Sequence, residues 1–450
     1  MTCHQTWLHL FHGLINTASC FVMAIAMSCT AIAIELTPAQ RAQIQAAVES
    51  MQKQMGVKGV SVAVITQNEA LTATAGESYA GRSVSADMVF GIGSVTKTLT
   101  ATTLVRMQEE GLLDLDQPLS TWIASHPNID PTITVRELLG HRSGLADFSL
   151  TQEYRAAVLA NTTRVFAPTE LLSFVKEPLA ARGTVFNYCN TNYVLAGMII
   201  QAITGKSPGD AYRRYIFSGL QMDSTFMGVE DSIPVEIAVR WMGSQSGQNV
   251  SMNAAFSGAW TAGAAFSTAR EIAVFMRALH RGAIVAKTSL EEMHTYSDTV
   301  TYGLGVSRQV LSGNVVLGHT GSIRGYESIV LYVPSMDIGL SVLVNQAPSS
   351  PVAIAAELLK TLAGTTSVQT TSNTTISVYP NPCFENITIH GLNENASVRI
   401  YTMQGTCCRE YSSDGGSAQS LNVADLPSGT YVMYLQDDQS RHVMPLHIHR

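Results

Sequence analysis

Phe90-Gly91-Ile92-Gly93-Ser94-Val95-Thr96-Lys97, followed by a helical stretch to about Glu110 and a stop at Gly111, sets a serine and a lysine three residues apart where a helix begins. That spacing brings both side chains to one face, one turn apart. A serine hydroxyl is a poor nucleophile until a nearby base removes its proton. A lysine does this only when its pKa falls, which burial and neighbouring dipoles or cations bring about. The helix N-terminus favours the negative charge that develops, and Gly91 and Gly93 let backbone approach closely. A Ser-x-x-Lys pattern arises by chance about once in a chain of this length, so its weight comes from its companions. A phosphate-binding loop is set aside, because that motif carries Gly directly before the Lys and this chain has Thr96.

Two companions follow in order. Tyr188-Cys189-Asn190 stands at the entry to the apolar stretch Tyr193–Ile203. Tyr188 is placed to relay a proton between Ser94 and a leaving group if Lys97 lowers its pKa, and Asn190 to hold a substrate amide and Lys97. Taken alone, the tripeptide reads more readily as a packed aromatic and a helix cap. His319-Thr320-Gly321-Ser322 comes after the apolar strand Val315–Leu317. Gly321 lets a substrate lie against that strand as an added strand, and the amides of Ser94 and Ser322 form an oxyanion hole. His319, Thr320, Gly321 and Ser322 are thus assigned to substrate and oxyanion binding. His319 supplies a donor, or a positive charge below about pH 6.5, so activity is expected to change between about pH 5 and 8. No paired His or Cys spacing suggests zinc, and neither metal nor cofactor is expected.

The 450 residues exceed one ordinary domain. Hydrophobic residues at 46% against 14% charged suit a large core, and a net charge of −7 speaks against a nucleic-acid surface. Residues 1–33 read as an export leader, apolar from Leu14 to Ile34, with Ala31-Ile32-Ala33 as a small-x-small cleavage site. No Lys or Arg precedes Arg41, and the competing reading is an uncleaved membrane anchor. With the leader removed, no stable membrane span is expected.

Thr37-Pro38 opens a helix. Gly59–Ile65 and Ala70–Ala75 read as paired strands, the middle to about residue 300 as mostly helical, and Val315–Leu317, Ser328–Val333 and Ile338–Val344 as further strands before a helix over Val352–Leu362. Strands at both ends of a helical middle imply one antiparallel sheet flanked by terminal helices beside an all-helical lobe, an α+β arrangement over residues 34–364 with the site at the seam. Residues 365–375 are a Thr/Ser/Gln-rich linker. Short alternating strands over residues 376–450 predict a small all-β sandwich. Cys383 has Cys407 and Cys408 as alternative disulfide partners, and Cys189 is expected to remain a buried thiol.

At this point the residues resemble the serine β-lactamase and penicillin-binding protein superfamily, in its class C and D-alanyl-D-alanine carboxypeptidase-like branch. The resemblance spans about residues 40–362 and rests on Phe90–Lys97, Leu138–Leu145, Tyr188–Tyr193, Tyr302–Gly305 and Gly318–Gly321. It implies Ser94 as the acylated nucleophile, Lys97 and Tyr188 as proton carriers, Asn190 as a substrate contact, and His141 as structural. Class C enzymes usually carry Lys where this chain has His319, which favours a D-Ala-D-Ala carboxypeptidase-like peptidase over a β-lactamase or esterase. A small peptide or β-lactam-like molecule is then the substrate; a non-catalytic penicillin- or peptidoglycan-binding module is the rival of another class. Arg308 is a candidate anchor for a substrate carboxylate. The tail resembles the type IX secretion sorting domain through Val378–Pro382, Val398–Tyr401 and Leu426–Tyr431. That resemblance implies contact with the type IX machinery, passage through the periplasm, and a secreted or cell-surface location.

Overall fold

Gly59–Ile65 (β1) is buried at every position, as only a strand covered on both faces can be. It lies inside an antiparallel sheet with Ala70–Tyr79 (β2), Ser307–Leu311 (β3), Asn314–Ile323 (β4), Tyr326–Val333 (β5) and Ile338–Val344 (β6). The order is β2-β1-β6-β5-β4-β3, with Arg82–Ser83 as a short seventh strand beyond β2. The chain is described here from a computed structural model covering residues 36–366 except 298–299, and 377–448 except 380–382, 384, 391–395, 403–406, 414–417 and 437–440. The leader expected over residues 1–33, and most of the linker expected over 365–375, lie outside the described residues.

Alternation along the strands assigns each side chain to one of two cores. Val60, Val62 and Val64 of β1, Ile329 and Leu331 of β5, and Leu340, Val342 and Val344 of β6 face Pro38–Met55 (α1) and Pro351–Thr366 (α6). Ala63, Val330 and Leu343 face the opposite way, into the core shared with the helical lobe. That lobe contributes Thr96–Glu109 (α2), Gln152–Ala160 (α3) and Asn190–Thr204 (α4), while Ala269–His280 (α5) packs directly on β1 and β6. The expected antiparallel sheet, terminal helices and helical lobe are therefore present, although the middle is not all helical: Phe90–Gly91, Ala265–Ser267 and Phe226–Met227 pair as a small sheet of their own. Thr37 caps α1 through a reciprocal capping box with Gln40, and Gly56 ends it with φ +63°, as the Thr-Pro signal anticipates.

Three boundaries differ from the sequence reading. Ser94 sits in a 3₁₀ turn, Gly93–Val95, and α2 begins only at Thr96. Strand β4 continues six residues beyond Leu317 to Ile323, so the His-Thr-Gly-Ser stretch lies within it. Its apolar pattern lapses there because β3 stops pairing at Gly318, opposite Ser307, and leaves the following edge of β4 open. Helix α6 passes through Gly364 to Thr366, so it enters the expected linker.

The C-terminal residues form two sheets around one core. Ser377–Tyr379 (β7), Asn386–His390 (β8) and Ala418–Asn422 (β11) make the first. Ser397–Thr402 (β9), Cys407–Ser412 (β10), Gly429–Gln436 (β12) and Arg441–Ile448 (β13) make the second, in the order β10-β9-β12-β13. Ile387, Ile389, Val398, Ile400 and Leu446 share the core, which makes it the small sandwich expected. Pro445 is tolerated because β13 is an edge strand. Cys189, Cys383, Cys407 and Cys408 are thiols, so neither disulfide alternative is formed. Among the described residues no helix is long and apolar enough to cross a membrane.

Leu340 is fully buried opposite Val64 and Leu331. Leu340→Ala should lower stability by about 2–5 kcal/mol, read from urea unfolding followed by tryptophan fluorescence. A loss below about 0.5 kcal/mol, the range of an ordinary surface substitution, would contradict this placement.

Candidate active site

The turn that carries Ser94 is pressed backbone to backbone against β4. Gly93 adopts φ +52°, and a Cβ there would stand 2.5 Å from the amide nitrogen of Ser322. A Cβ on Gly321 would collide with the carbonyl oxygen of Ile92. Ser328 Oγ donates to that same carbonyl at 2.9 Å, tying the turn to β5 as well. Both glycines are thus required by contact, Gly93 by its left-handed φ as well, and the contact brings the Ser94 and Ser322 backbones side by side.

Lys97 is 0% exposed. Its Nζ donates to Ser94 Oγ at 3.1 Å, to Asn190 Oδ1 at 2.7 Å and to the carbonyl of Ala262 at 2.7 Å. All three acceptors are neutral, so burial is opposed by no direct ion pair, and it pushes the ammonium down to about 7, with the Asp147 charge opposing. The acceptors are themselves held. Asn190 Nδ2 donates to Asp147 Oδ2 and Ser149 Oγ at 3.0 Å each, and its backbone N–H reaches Asp147 Oδ2 at 3.0 Å. The Ala262 carbonyl ends the turn Trp260–Ala262, in which Trp260 takes φ +38° and Thr261 is fixed to Tyr193 and Thr100.

Tyr188 hydrogen-bonds Ser94, and Lys97 Nζ lies 4.9 Å from its ring centroid. Lys97 does not lower the phenol as expected. Burial of the hydroxyl raises it well above its ordinary value, the Ser94 hydrogen bond opposing, although the residue as a whole is 36% exposed. Tyr188 is therefore a protonated donor at neutral pH. Its ring packs 4.2 Å from His141, which takes φ +55° and accepts the Cys189 N–H on Nδ1 at 3.1 Å. This accords with a structural His141. Cys189 is a buried thiol, pushed by burial up to about 11.

His319 departs from its expected role. It is 5% exposed, and burial pushes its imidazole down to about 4. Nδ1 donates to the Thr320 carbonyl at 2.5 Å, which leaves Nε2 to accept the Tyr302 hydroxyl at 2.9 Å. The ring is neutral across pH 5–8, because the site is too dry for a second cation beside Lys97. Arg308 lays its guanidinium 4.9 Å over the Tyr296 ring. Thr320 and Ser322 are exposed along the open edge of β4, with Gly321 buried between them, so the stretch offers backbone to an extended ligand.

Ser94, Lys97, Tyr188, Asn190 and Ser322 thus meet at one place, with His319, Thr320 and Gly321 along the adjoining strand. Asp147, Ser149 and the Ala262 carbonyl complete it and were missed, and Tyr302, which stands in a motif of the resemblance, was given no role there. Asp147 lies two residues beyond a motif that was noticed; a backbone carbonyl has no residue signature at all. Among the described residues no His, Cys, Asp or Glu cluster could hold a metal ion.

Comparison with known proteins gives the same outline. The Beta-lactamase family pattern matches residues 44–364, and the Secretion system C-terminal sorting domain matches residues 377–448. A D-stereospecific amidohydrolase from Streptomyces sp. is 30% identical, with 70% of this chain and 98% of that chain aligned at a TM-score of 0.62. The D-amino acid amidase from Ochrobactrum anthropi SV3, complexed with L-phenylalanine, is 28% identical over 73% of this chain and 100% of its own, with a TM-score of 0.65. A D-aminopeptidase from Cereibacter sphaeroides is 25% identical over 52% of this chain and 46% of its own. The chain spans about half the length of the curated relatives it matches. The sorting domain marks the chain for export to the cell surface or beyond.

His319 should hold the Nδ1-protonated neutral form from pH 8 down to 5 and charge only near pH 4, as seen by ¹⁵N imidazole NMR. A midpoint near its ordinary 6.5 would contradict the buried Tyr302–His319 arrangement.

Proposed function

The chain belongs to the β-lactamase family, and within it we propose an exported serine hydrolase that forms an acyl-enzyme on Ser94 and cleaves the amide bond of a D-residue in a small peptide. The observation that carries this reading is Lys97: fully buried, 3.1 Å from Ser94 Oγ, and brought to about 7, where a lysine serves as a base. The D-residue preference rests on the similar amidohydrolase, amidase and aminopeptidase.

The neutral Lys97 amine takes the Ser94 proton as Oγ attacks the substrate carbonyl. The amides of Ser94 and Ser322 receive the oxyanion. As the C–N bond breaks, the protonated Tyr188 gives its hydroxyl proton to the departing nitrogen, and the phenolate left behind takes a proton back from the Lys97 ammonium, which stands 4.9 Å from its ring centroid. Water then hydrolyses the Ser94 ester. Asn190 and Ala262 hold Lys97, and Thr320 and Gly321 offer a strand edge to the substrate backbone.

A strict D-Ala-D-Ala carboxypeptidase grips a terminal carboxylate on the leaving group. Here His319 is uncharged at neutral pH and Arg308 is stacked on Tyr296, which favours the broader amidohydrolase reading over that narrower one.

Benzylpenicillin should leave a covalent adduct on the Ser94 peptide, detected by mass spectrometry and absent in Ser94→Ala. Ser94→Ala should also lower kcat/KM for a D-alanine anilide by at least about 1,000-fold. A substrate turned over equally by wild type and Ser94→Ala would refute the acyl-enzyme. In wild type, kcat/KM should rise about tenfold per pH unit below about pH 7 and level above it, because Lys97 must lose its proton to act. A profile flat from pH 5 to 8 would remove Lys97 as the base.

A further inference from the structure

A cavity of about 430 Å³ opens beside the site, lined by Ser149, Tyr154, Arg155, Leu159, Ser322 and Arg324 among others. Its position on the substrate's path follows from the proposed proton path. Tyr188 serves the leaving group, and its ring is 6.1 Å from His319 and 6.0 Å from Tyr302, so the leaving group belongs at that end of β4. The cavity is reached by following β4 the other way, past Ser322 to Arg324, and neither His319 nor Tyr302 lines it. It therefore receives the acyl side of the substrate.

The walls are apolar and the charge is positive. Val158, Leu159, Ala255 and Ile323 supply the apolar surface. Thr320 and Ser322 alternate onto the exposed face of β4, and Arg324, the first residue beyond the strand, is exposed as well. Arg155, on α3, donates from Nε to the Ser149 carbonyl at 3.3 Å. Among the described residues neither Arg155 nor Arg324 has a carboxylate partner, in a chain whose net charge is −7. The neighbouring acid on α3, Glu153, is already paired with Lys176 at 2.7 Å.

Arg324 takes φ +37°, a strained setting for a residue with a Cβ, at the hairpin that joins β4 to β5. Behind it stands a third guanidinium, Arg240, whose Cβ lies 3.1 Å from the Cβ position of Gly325 and whose buried Nε has no hydrogen-bond partner. Burial and Arg324 both lower Arg240 from its ordinary value. The anion facing this end of the strand is Glu327, which accepts from Ser322 Oγ at 3.0 Å and is raised by burial.

We propose that this cavity is a subsite for an anionic acyl group, in which Arg155 and Arg324 bind a carboxylate carried by the N-substituent of the residue that acylates Ser94. This rests on the acyl-enzyme reading above and narrows its substrate class. The distance suits the chemistry: Ile323 alone separates Ser322 from Arg324, two residue steps of about 7 Å, close to the reach of a four-carbon diacid on the substrate nitrogen. A free α-ammonium, the group an aminopeptidase takes, would meet two like charges.

The test compares kcat/KM for N-succinyl-, N-acetyl- and unblocked D-alanine p-nitroanilides. The succinyl compound should exceed the acetyl one by about tenfold at low salt, roughly threefold from each guanidinium. The ratio should shrink at 1 M NaCl, where screening acts within about 3 Å. It should fall toward one in Arg155→Gln/Arg324→Gln and return in part in Arg324→Lys, which keeps the charge on the strained backbone. A succinyl-to-acetyl ratio near one in wild type, a ratio unmoved by both Gln substitutions, or a preference for the unblocked amine would each overturn the subsite while leaving the hydrolase reading standing. Turnover of none of the three by wild type would overturn the hydrolase reading and the subsite with it.

Discussion

A lysine amine with no exposure to water and no carboxylate within hydrogen-bond reach is the constraint on which the site depends. Burying an ammonium is costly, and the chain meets that cost by making the neutral form the accessible one near neutral pH. Everything around Lys97 serves this. Asn190 and Ala262 accept its protons without adding negative charge, and Asp147 stands one residue further back, behind Asn190, where it orients the amide. Had Asp147 touched Nζ directly, the lysine would have stayed charged and could not serve as the base proposed for Ser94.

The same dryness sets the states of the neighbouring groups. Tyr188 is kept protonated and His319 neutral by the same burial that lowers Lys97. Two glycine contacts make the enclosure: Gly93 against Ser322, and Gly321 against Ile92. They let a turn and a strand edge meet without side chains between them. What remains open is the edge of β4 beyond Gly318, which a substrate can occupy as a strand.

Much of this was legible from the residues. The buried strands of the larger sheet announced themselves as apolar runs, and Thr37-Pro38 marked its helix correctly. The Ser94–Lys97 spacing, Tyr188, Asn190 and the His319–Ser322 stretch all arrive at one place. The full length of β4 was hidden because its functional half is polar and glycine-containing where it borders the cleft. The charge states of Tyr188 and His319 could not be read either, since pKa follows burial and burial is a property of the folded chain. Asp147 and the Ala262 carbonyl act through Asn190 and Lys97, and nothing in their local sequence marks them.

The most direct measurement is a ¹³C NMR titration of ε-labelled lysines in the intact chain, with Lys97→Met to assign the signal. The account predicts that one lysine, Lys97, titrates near 7 while the ordinary value is 10.5. A Lys97 resonance that titrates near 10.5 would contradict it, because an amine still charged at neutral pH cannot deprotonate Ser94.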